Sequence, residues 1–133
     1  NLLRNIIETA DTCIALGKTQ ATLRFGHEVC VMPLACLLEL GDCGARVDDL
    51  EQLDARWRNY NIFPMGCNVQ LIFYRPKKGR SGDILVKALL NEREQTMPVP
   101  TNQYPYYRWA DLRDYYLHKI ADFEQHYLEK KSD

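Results

Sequence analysis

The strongest constraint on the fold is a pair of strand-like runs, Asn68-Val69-Gln70-Leu71-Ile72-Phe73-Tyr74 and Asp83-Ile84-Leu85-Val86-Lys87-Ala88-Leu89-Leu90. Both are rich in aliphatic and aromatic side chains that suit a pleated surface. Between them lies Pro76-Lys77-Lys78-Gly79-Arg80-Ser81-Gly82, whose proline and glycines punctuate regular structure. The arrangement predicts an antiparallel pair closed by a hairpin connection.

The flanking segments read mostly as helices. Leu2, Leu3, Ile6, Ile7, Ala10, Cys13 and Ile14 recur at intervals of three and four, which predicts an amphipathic helix over Leu2 to Leu16 that Gly17 stops. Ala21-Thr22-Leu23-Arg24-Phe25-Gly26, bounded by the polar Lys18-Thr19-Gln20 turn and by Gly26, reads as a short strand. Val29 to Leu40 reads as a second helix, with Pro33 in its first turn and Gly41 at its end. The order helix, strand, helix points to an α/β layer. Asp42 to Tyr60 is polar, with a short helix expected around Asp48 to Ala55 and Trp57 as the anchor that holds the segment to the body. Pro98, Pro100 and Pro105 make residues 95 to 106 an extended loop. A last helix is expected over about Trp109 to Leu128, with Leu112, Tyr116, Ile120, Phe123 and Tyr127 as one buried stripe.

A chain of 133 residues suffices for one hydrophobic core, and a formal net charge of -1 shows no excess of cations that would draw the whole chain to nucleic acid. No apolar run approaches the roughly 20 residues of a bilayer span, and no signal-peptide pattern opens the sequence. The sequence begins on Asn1 already inside a helical pattern, as expected of a chain entered midway. The five cysteines, Cys13, Cys30, Cys36, Cys43 and Cys67, contain no Cys-x-x-Cys pair, so neither a zinc site nor a dithiol redox motif is expected, and no cofactor is implied. Cys30 and Cys36 read as small buried hydrophobes on the second helix.

Chemistry concentrates at Gly26-His27-Glu28, between the predicted strand and the second helix. In α/β sheets ligands gather at the carboxyl ends of strands, where the next helix offers unpaired backbone N–H groups and the positive end of its dipole. There His27 could hold an anion while Glu28 delivers a proton to a leaving oxygen. A Gly-His-Glu turn serves equally as a helix cap, with Glu28 favouring the dipole, and the spacing alone prefers that structural role.

The surrounding words shift the balance. Leu23-Arg24-Phe25-Gly26-His27-Glu28 followed by Pro33-Leu34, Pro64-Met65-Gly66-Cys67-Asn68 running into Leu71-Ile72-Phe73-Tyr74, and Asp83-Ile84-Leu85-Val86-Lys87 before Leu90-Asn91-Glu92 together resemble the histidine acid phosphatases, above all the phytase-like multiple inositol polyphosphate phosphatase branch. The resemblance runs nearly end to end. It implies that residues 1–133 are the C-terminal part of a histidine-phosphatase (phosphoglycerate-mutase-like) three-layer α/β domain, with a core strand, flanking helices and an antiparallel strand pair. His27 takes the place of the family's phosphate-binding His, and Glu28 that of the acid that protonates the leaving group.

Glu28 departs from the His-Asp form of that motif by one methylene, and from the His-Ala-Glu form by one position, now filled by Val29. The family's nucleophile lies in Arg-His-Gly-x-Arg-x-Pro, which this sequence lacks, so the chain is expected to be inert alone. In the complete enzyme the resemblance implies a phosphohistidine intermediate and phosphorylated small molecules such as inositol polyphosphates or phytate as substrates, and burial of Glu28 beside a bound dianion would keep it protonated at higher pH than a free carboxyl, so activity at mildly acidic pH is expected. It further implies a periplasmic or secreted location and the rest of the domain as partner; an apolar face left uncovered when that rest is missing would favour self-association of the chain. The competing expectation is a non-catalytic α/β interaction or docking module.

Other polar groups read as structural. His118 and His126 on the last helix fit solvated or capping roles, Arg75, Lys77, Lys78 and Arg80 a solvated hairpin tip, and Asn68 with Asn91-Glu92 a means of satisfying backbone at strand ends. Arg24 lies on the strand face opposite Leu23 and Phe25, and the alternation leaves open which face meets a ligand.

Overall fold

A computed structural model describes residues 2–18 and 20–130, apart from the side chain of Arg56. Thr19, in the middle of the expected Lys18-Thr19-Gln20 turn, lies outside the described residues. The chain is mixed α/β with an antiparallel sheet, and it divides into two compact units: Gly26–Leu112, and Asn1–Phe25 with Arg113–Asp133.

The sheet belongs to the first of these units. Strands β1 (Val69–Tyr74) and β2 (Leu85–Leu90) pair antiparallel, with Val69 opposite Leu90 and Tyr74 opposite Leu85, as the alternation predicts. The other edge of β2 is covered by two short pieces that the sequence did not announce. These are β3 (Arg93–Gln95), with Gln95 opposite Ala88, and β4 (Tyr107–Arg108), with Tyr107 opposite Val86. The expected loop over 95 to 106 therefore starts inside a strand and runs to the next one.

Side-chain alternation sorts the sheet into two faces. Val86, Ala88 and Leu90 are buried, and in register they share their face with Val69, Leu71, Phe73 and Tyr107. Phe73 meets Trp109 edge to face at 5.0 Å, and the backbone N–H of Met97 donates to the buried Tyr107 hydroxyl at 3.2 Å. Ala35, Leu38, Leu40, Ile62 and Leu112 complete the buried apolar set of this unit. Burying a side chain such as Val86 or Leu38 stabilises by roughly 1.5–3 kcal/mol. On the opposite face Lys87 bridges to Glu94 at 2.9 Å and Tyr74 meets Tyr106 edge to face at 5.2 Å.

The turn from β2 to β3 has Asn91 at φ +50 and Glu92 at φ +65, the two left-handed positions of a type I′ hairpin. Asn91 also binds beyond the turn. Its carboxamide accepts from the Asn68 N–H at 3.1 Å and donates to the carbonyls of Asn61 and Ile62 at 3.2 and 3.0 Å. This fits the backbone-satisfying role expected for Asn91, whereas the side chains of Asn68 and Glu92 accept from the Gln70 carboxamide at 3.0 and 2.8 Å instead of bonding to backbone.

Helix α2 (Glu28–Leu37) begins one residue before the predicted helix and ends three before it. Its end is a Schellman arrangement: Leu40 N–H donates to the Ala35 carbonyl and Glu39 N–H to that of Cys36, with Glu39 at φ +53 in the left-handed slot that glycine usually fills. Gly41, expected to stop the helix, instead turns the chain beyond it at φ +54 and donates its N–H to the Thr96 carbonyl at 3.0 Å. Pro33 sits inside the helix rather than in its first turn, so the Val29 carbonyl loses its i+4 donor. Cys30 is exposed, correcting the expectation that it is a core side chain.

The polar segment forms a 3₁₀ turn (Leu50–Gln52) that leads into α3 (Leu53–Arg56), in the place expected for a short helix, followed by α4 (Asn59–Ile62). Trp57 between them is half-buried, and its indole interacts with the sulfur of Cys36, which agrees with an anchoring role.

In the other unit, helix α1 (Leu2–Leu16) spans its predicted range. Arg4 bridges to Glu124 at 2.9 Å and Arg113 to Asp11 at 2.6 Å, so α1 runs antiparallel to the later turns of helix α5 (Trp109–Glu129). Leu112, Tyr116 and Ile120 of α5 are buried, but Phe123 is 71% exposed and Tyr127 52%. The stripe is thus core for its first three members only. Phe123 and Tyr127 stack on each other at 6.3 Å instead.

Candidate functional site

Ala21 to Gly26 is not a strand. The segment carries no regular structure and pairs with no sheet, and Leu23 and Phe25 are 75% and 93% exposed. A pattern of alternating residues shows what could pair, while a strand exists only where a partner is taken up, and this segment pairs with none of the described strands. The expected core strand before the triplet is corrected accordingly. The Arg24 guanidinium donates to the Thr9 hydroxyl at 3.0 Å.

His27 and Glu28 do stand side by side at the start of α2. His27 is the N-cap residue in extended geometry (φ -77°, ψ 159°), and its side chain makes no capping bond. Glu28 is the first helical residue, where a negative charge favours the dipole. The Cys30 N–H donates to the His27 carbonyl at 2.9 Å, which leaves the N–H groups of Glu28 and Val29 ahead of the first helical bond. Both side chains are exposed, and neither has a hydrogen-bond or ion-pair partner among the described residues. The pair is therefore open to a ligand, with two side chains of different chemistry and two backbone donors at one helix start.

Concave surface lies elsewhere in the same unit. One open cleft of about 260 Å³ is lined by Asp42, Cys43, Ala55, Trp57, Arg58, Asn61 and Ile62, and a second of about 290 Å³ shares Asp42, Ala55 and Trp57 with it. His27 and Glu28 line neither cleft. Sequence reasoning identified Trp57 as an anchor but not the hollow beside it, because a cleft made by short turns leaves no periodic signal. Burial pushes the Cys43 thiol up from its ordinary range, and the neighbouring Cys36 and Asp42 add to the rise. Burial likewise raises Cys36, against an opposing pull from the Trp57 indole. Both shifts favour the thiol over the nucleophilic thiolate.

His118 and His126 are exposed on α5, each with Nδ1 at 2.7 Å from the carbonyl four residues back, Asp114 and Asp122 respectively. Neither is brought to the triplet by a described contact. Among the described residues no group of three or more His, Cys, Asp or Glu side chains is arranged to hold a metal ion, and no helix is long and apolar enough to cross a membrane.

Fold and site together define a mixed α/β chain with an antiparallel sheet and an open His-Glu pair at a helix start. Neither protein-family models nor curated proteins give a match for this chain.

Proposed function

We propose that the chain is the C-terminal part of a histidine-type acid phosphatase and contributes the phosphate-holding and proton-donating groups of a phosphomonoesterase site. The observation that carries this reading is the adjacency of His27 and Glu28 at the open start of α2, beside the unpaired N–H groups of Glu28 and Val29. A phosphoryl group placed there receives hydrogen bonds from His27 and the helix start, while Glu28 is one residue away on the same turn. The sequence blocks shared with the phytase-like branch support the same reading, and they favour inositol polyphosphates as substrates.

The reaction is a double displacement. A histidine from the upstream Arg-His-Gly-x-Arg-x-Pro segment attacks phosphorus, the bond from phosphorus to the ester oxygen breaks, and Glu28 gives its proton to the departing alkoxide. Glu28, now a carboxylate, takes a proton from water as that water attacks the phosphohistidine, which releases inorganic phosphate and restores the starting state. The exposed, unpaired course of Ala21 to Gly26 accords with a domain whose remaining part supplies its neighbours.

The test compares hydrolysis of phytate and of nitrophenyl phosphate by the longer protein, its His27→Ala and Glu28→Gln variants, and the 133-residue chain alone. The expected result is an inert chain and a roughly 10²–10⁴-fold loss on phytate for Glu28→Gln. The loss should be smaller for nitrophenyl phosphate, whose leaving group needs no proton. Equal activity of the variants and the parent sinks the proposal.

A second reading, a non-catalytic α/β docking module, is favoured by one observation: neither His27 nor Glu28 has a side-chain partner among the described residues to fix its orientation. In that case Glu28 only complements the dipole of α2, and both substitutions leave every phosphatase assay unchanged.

A further inference from the structure

The connection from β1 to β2 carries Arg75, Lys77, Lys78 and Arg80, four cations within six residues. All four are exposed, and none has a side-chain hydrogen bond or ion pair among the described residues. Nearby acids are already engaged. Asp83 bridges to Arg108 at 3.0 Å, and the same guanidinium meets Asp111 at 3.6 Å. The four loop cations therefore leave an excess of positive charge at this end of the sheet, although the chain as a whole has a net charge of -1.

The loop also has a defined shape. The Arg80 N–H donates to the Lys77 carbonyl at 2.9 Å, and Gly79 at φ +83 closes that turn. A Cβ on Gly82 would stand 3.1 Å from the Pro76 ring, so the proline lies against bare backbone and ties the two limbs of the loop together. The four cations are therefore presented from a tethered turn at one end of the sheet.

Three observations narrow the partner. The loop lines neither of the two clefts, so the concave surface beside Trp57 is not where its cations would hold a small anion. The adjacent aromatic pair, Tyr74 and Tyr106, is engaged edge to face, so its rings do not form the row of parallel faces on which successive nucleic-acid bases stack. The balance of charge makes the rest of the chain acidic, so a polyanion in contact with much of its surface would be repelled. What fits is a plane of anionic groups that meets only the tip and leaves the acidic body beyond the reach of its field, about 8 Å at physiological salt.

We propose that the β1–β2 connection docks this chain on an anionic lipid surface. The attachment is reversible and electrostatic, because no large apolar side chain lies between Lys77 and Asp83 to insert into the acyl region. Each of the four cations strengthens binding roughly fivefold.

The test is sedimentation of the 133-residue chain with vesicles of phosphatidylcholine alone or mixed with phosphatidylserine. The expected result is capture by the mixed vesicles only, lost as salt rises from about 0.1 M to 1 M because the Debye length shrinks about threefold. Replacing all four cations by Gln should weaken binding several-hundredfold, given roughly fivefold per residue, while Arg75→Lys with Arg80→Lys retains it. Circular dichroism checks that the fold survives, and a single Lys78→Gln change, with its roughly fivefold loss, serves if the quadruple variant does not fold. No capture by mixed vesicles, equal capture by neutral ones, or full binding by a folded Gln variant overturns the proposal. So does tighter binding to an oligonucleotide or to inositol hexakisphosphate than to the mixed vesicles in the same buffer.

Discussion

Asn91, at φ +50, bonds through its side chain to three backbone groups, those of Asn61, Ile62 and Asn68. One residue thereby joins the end of α4, the start of β1 and the turn after β2. Replacing it by Ala leaves the part-buried Asn68 N–H and Ile62 carbonyl without their side-chain partner and puts a residue less tolerant of left-handed geometry than Asn at φ +50. Asn91→Ala is expected to cost about 2–3 kcal/mol in denaturant unfolding. Its neighbour behaves in the opposite sense. Glu92 holds φ +65 and its carboxylate accepts only an exposed bond from Gln70, so Glu92→Gly should stabilise by about 0.5–1 kcal/mol. Measuring both variants against the parent separates the turn from the clamp. Asn91-Glu92 could be recognised in the sequence as a strand end. Its reach back to Asn61 could not, because a bond across thirty positions leaves no local mark.

Elements differed in how far their own residues announced them. α1, β1, β2 and α5 each run far enough to show a period, and all four lie close to where that period placed them. β3 and β4 span three and two residues and exist because β2 offers an open edge, so their signal sits in β2 rather than in themselves. Ala21 to Gly26 is the converse case, a legible strand pattern that pairs with none of the described strands. The position of His27 and Glu28 at the start of α2 was legible for the same reason that α2 was, whereas their exposure depends on what surrounds them. In α5 the stripe continues in the sequence but not in the core. Tyr116→Ala is expected to cost about 3–5 kcal/mol, as for removal of a large core aromatic, while Phe123→Ala stays within about 0.5 kcal/mol. Thermal or denaturant melts of the two variants check the contrast, and similar losses for both would place Phe123 in a core after all.

Across the whole molecule the resolved ionisation shifts all point the same way. Burial raises Cys36 and Cys43 above the ordinary thiol value of 9.0, and the Glu94 hydrogen bond raises Lys87 above 10.5. In each case the folded state keeps its proton at a pH where the unfolded chain releases it, so stability is fully present below the unfolded value and is lost as pH rises through the folded one. The expected profile is a melting temperature that is level near neutrality and falls from about pH 9 upward. Cys43→Ala should shallow that fall, and an unchanged alkaline slope would count against the thiol contribution.

The two short strands on the outer edge of β2 have a consequence for how the chain tolerates change. Gln95 sits opposite Ala88 and Tyr107 opposite Val86, two positions apart on one strand, so the intervening segment leaves the sheet and returns almost to its point of departure. Such a loop is closed by its own anchors. Gln103 is bridged to Tyr106 inside this loop, but the anchors on β2 lie outside that bridge, so lengthening the loop at the exposed Asn102 is expected to cost only about 0.6 kcal/mol per doubling and to leave the register on β2 unchanged. The fold thus contains a graft point, at which a foreign peptide could be displayed while the sheet keeps its pairing.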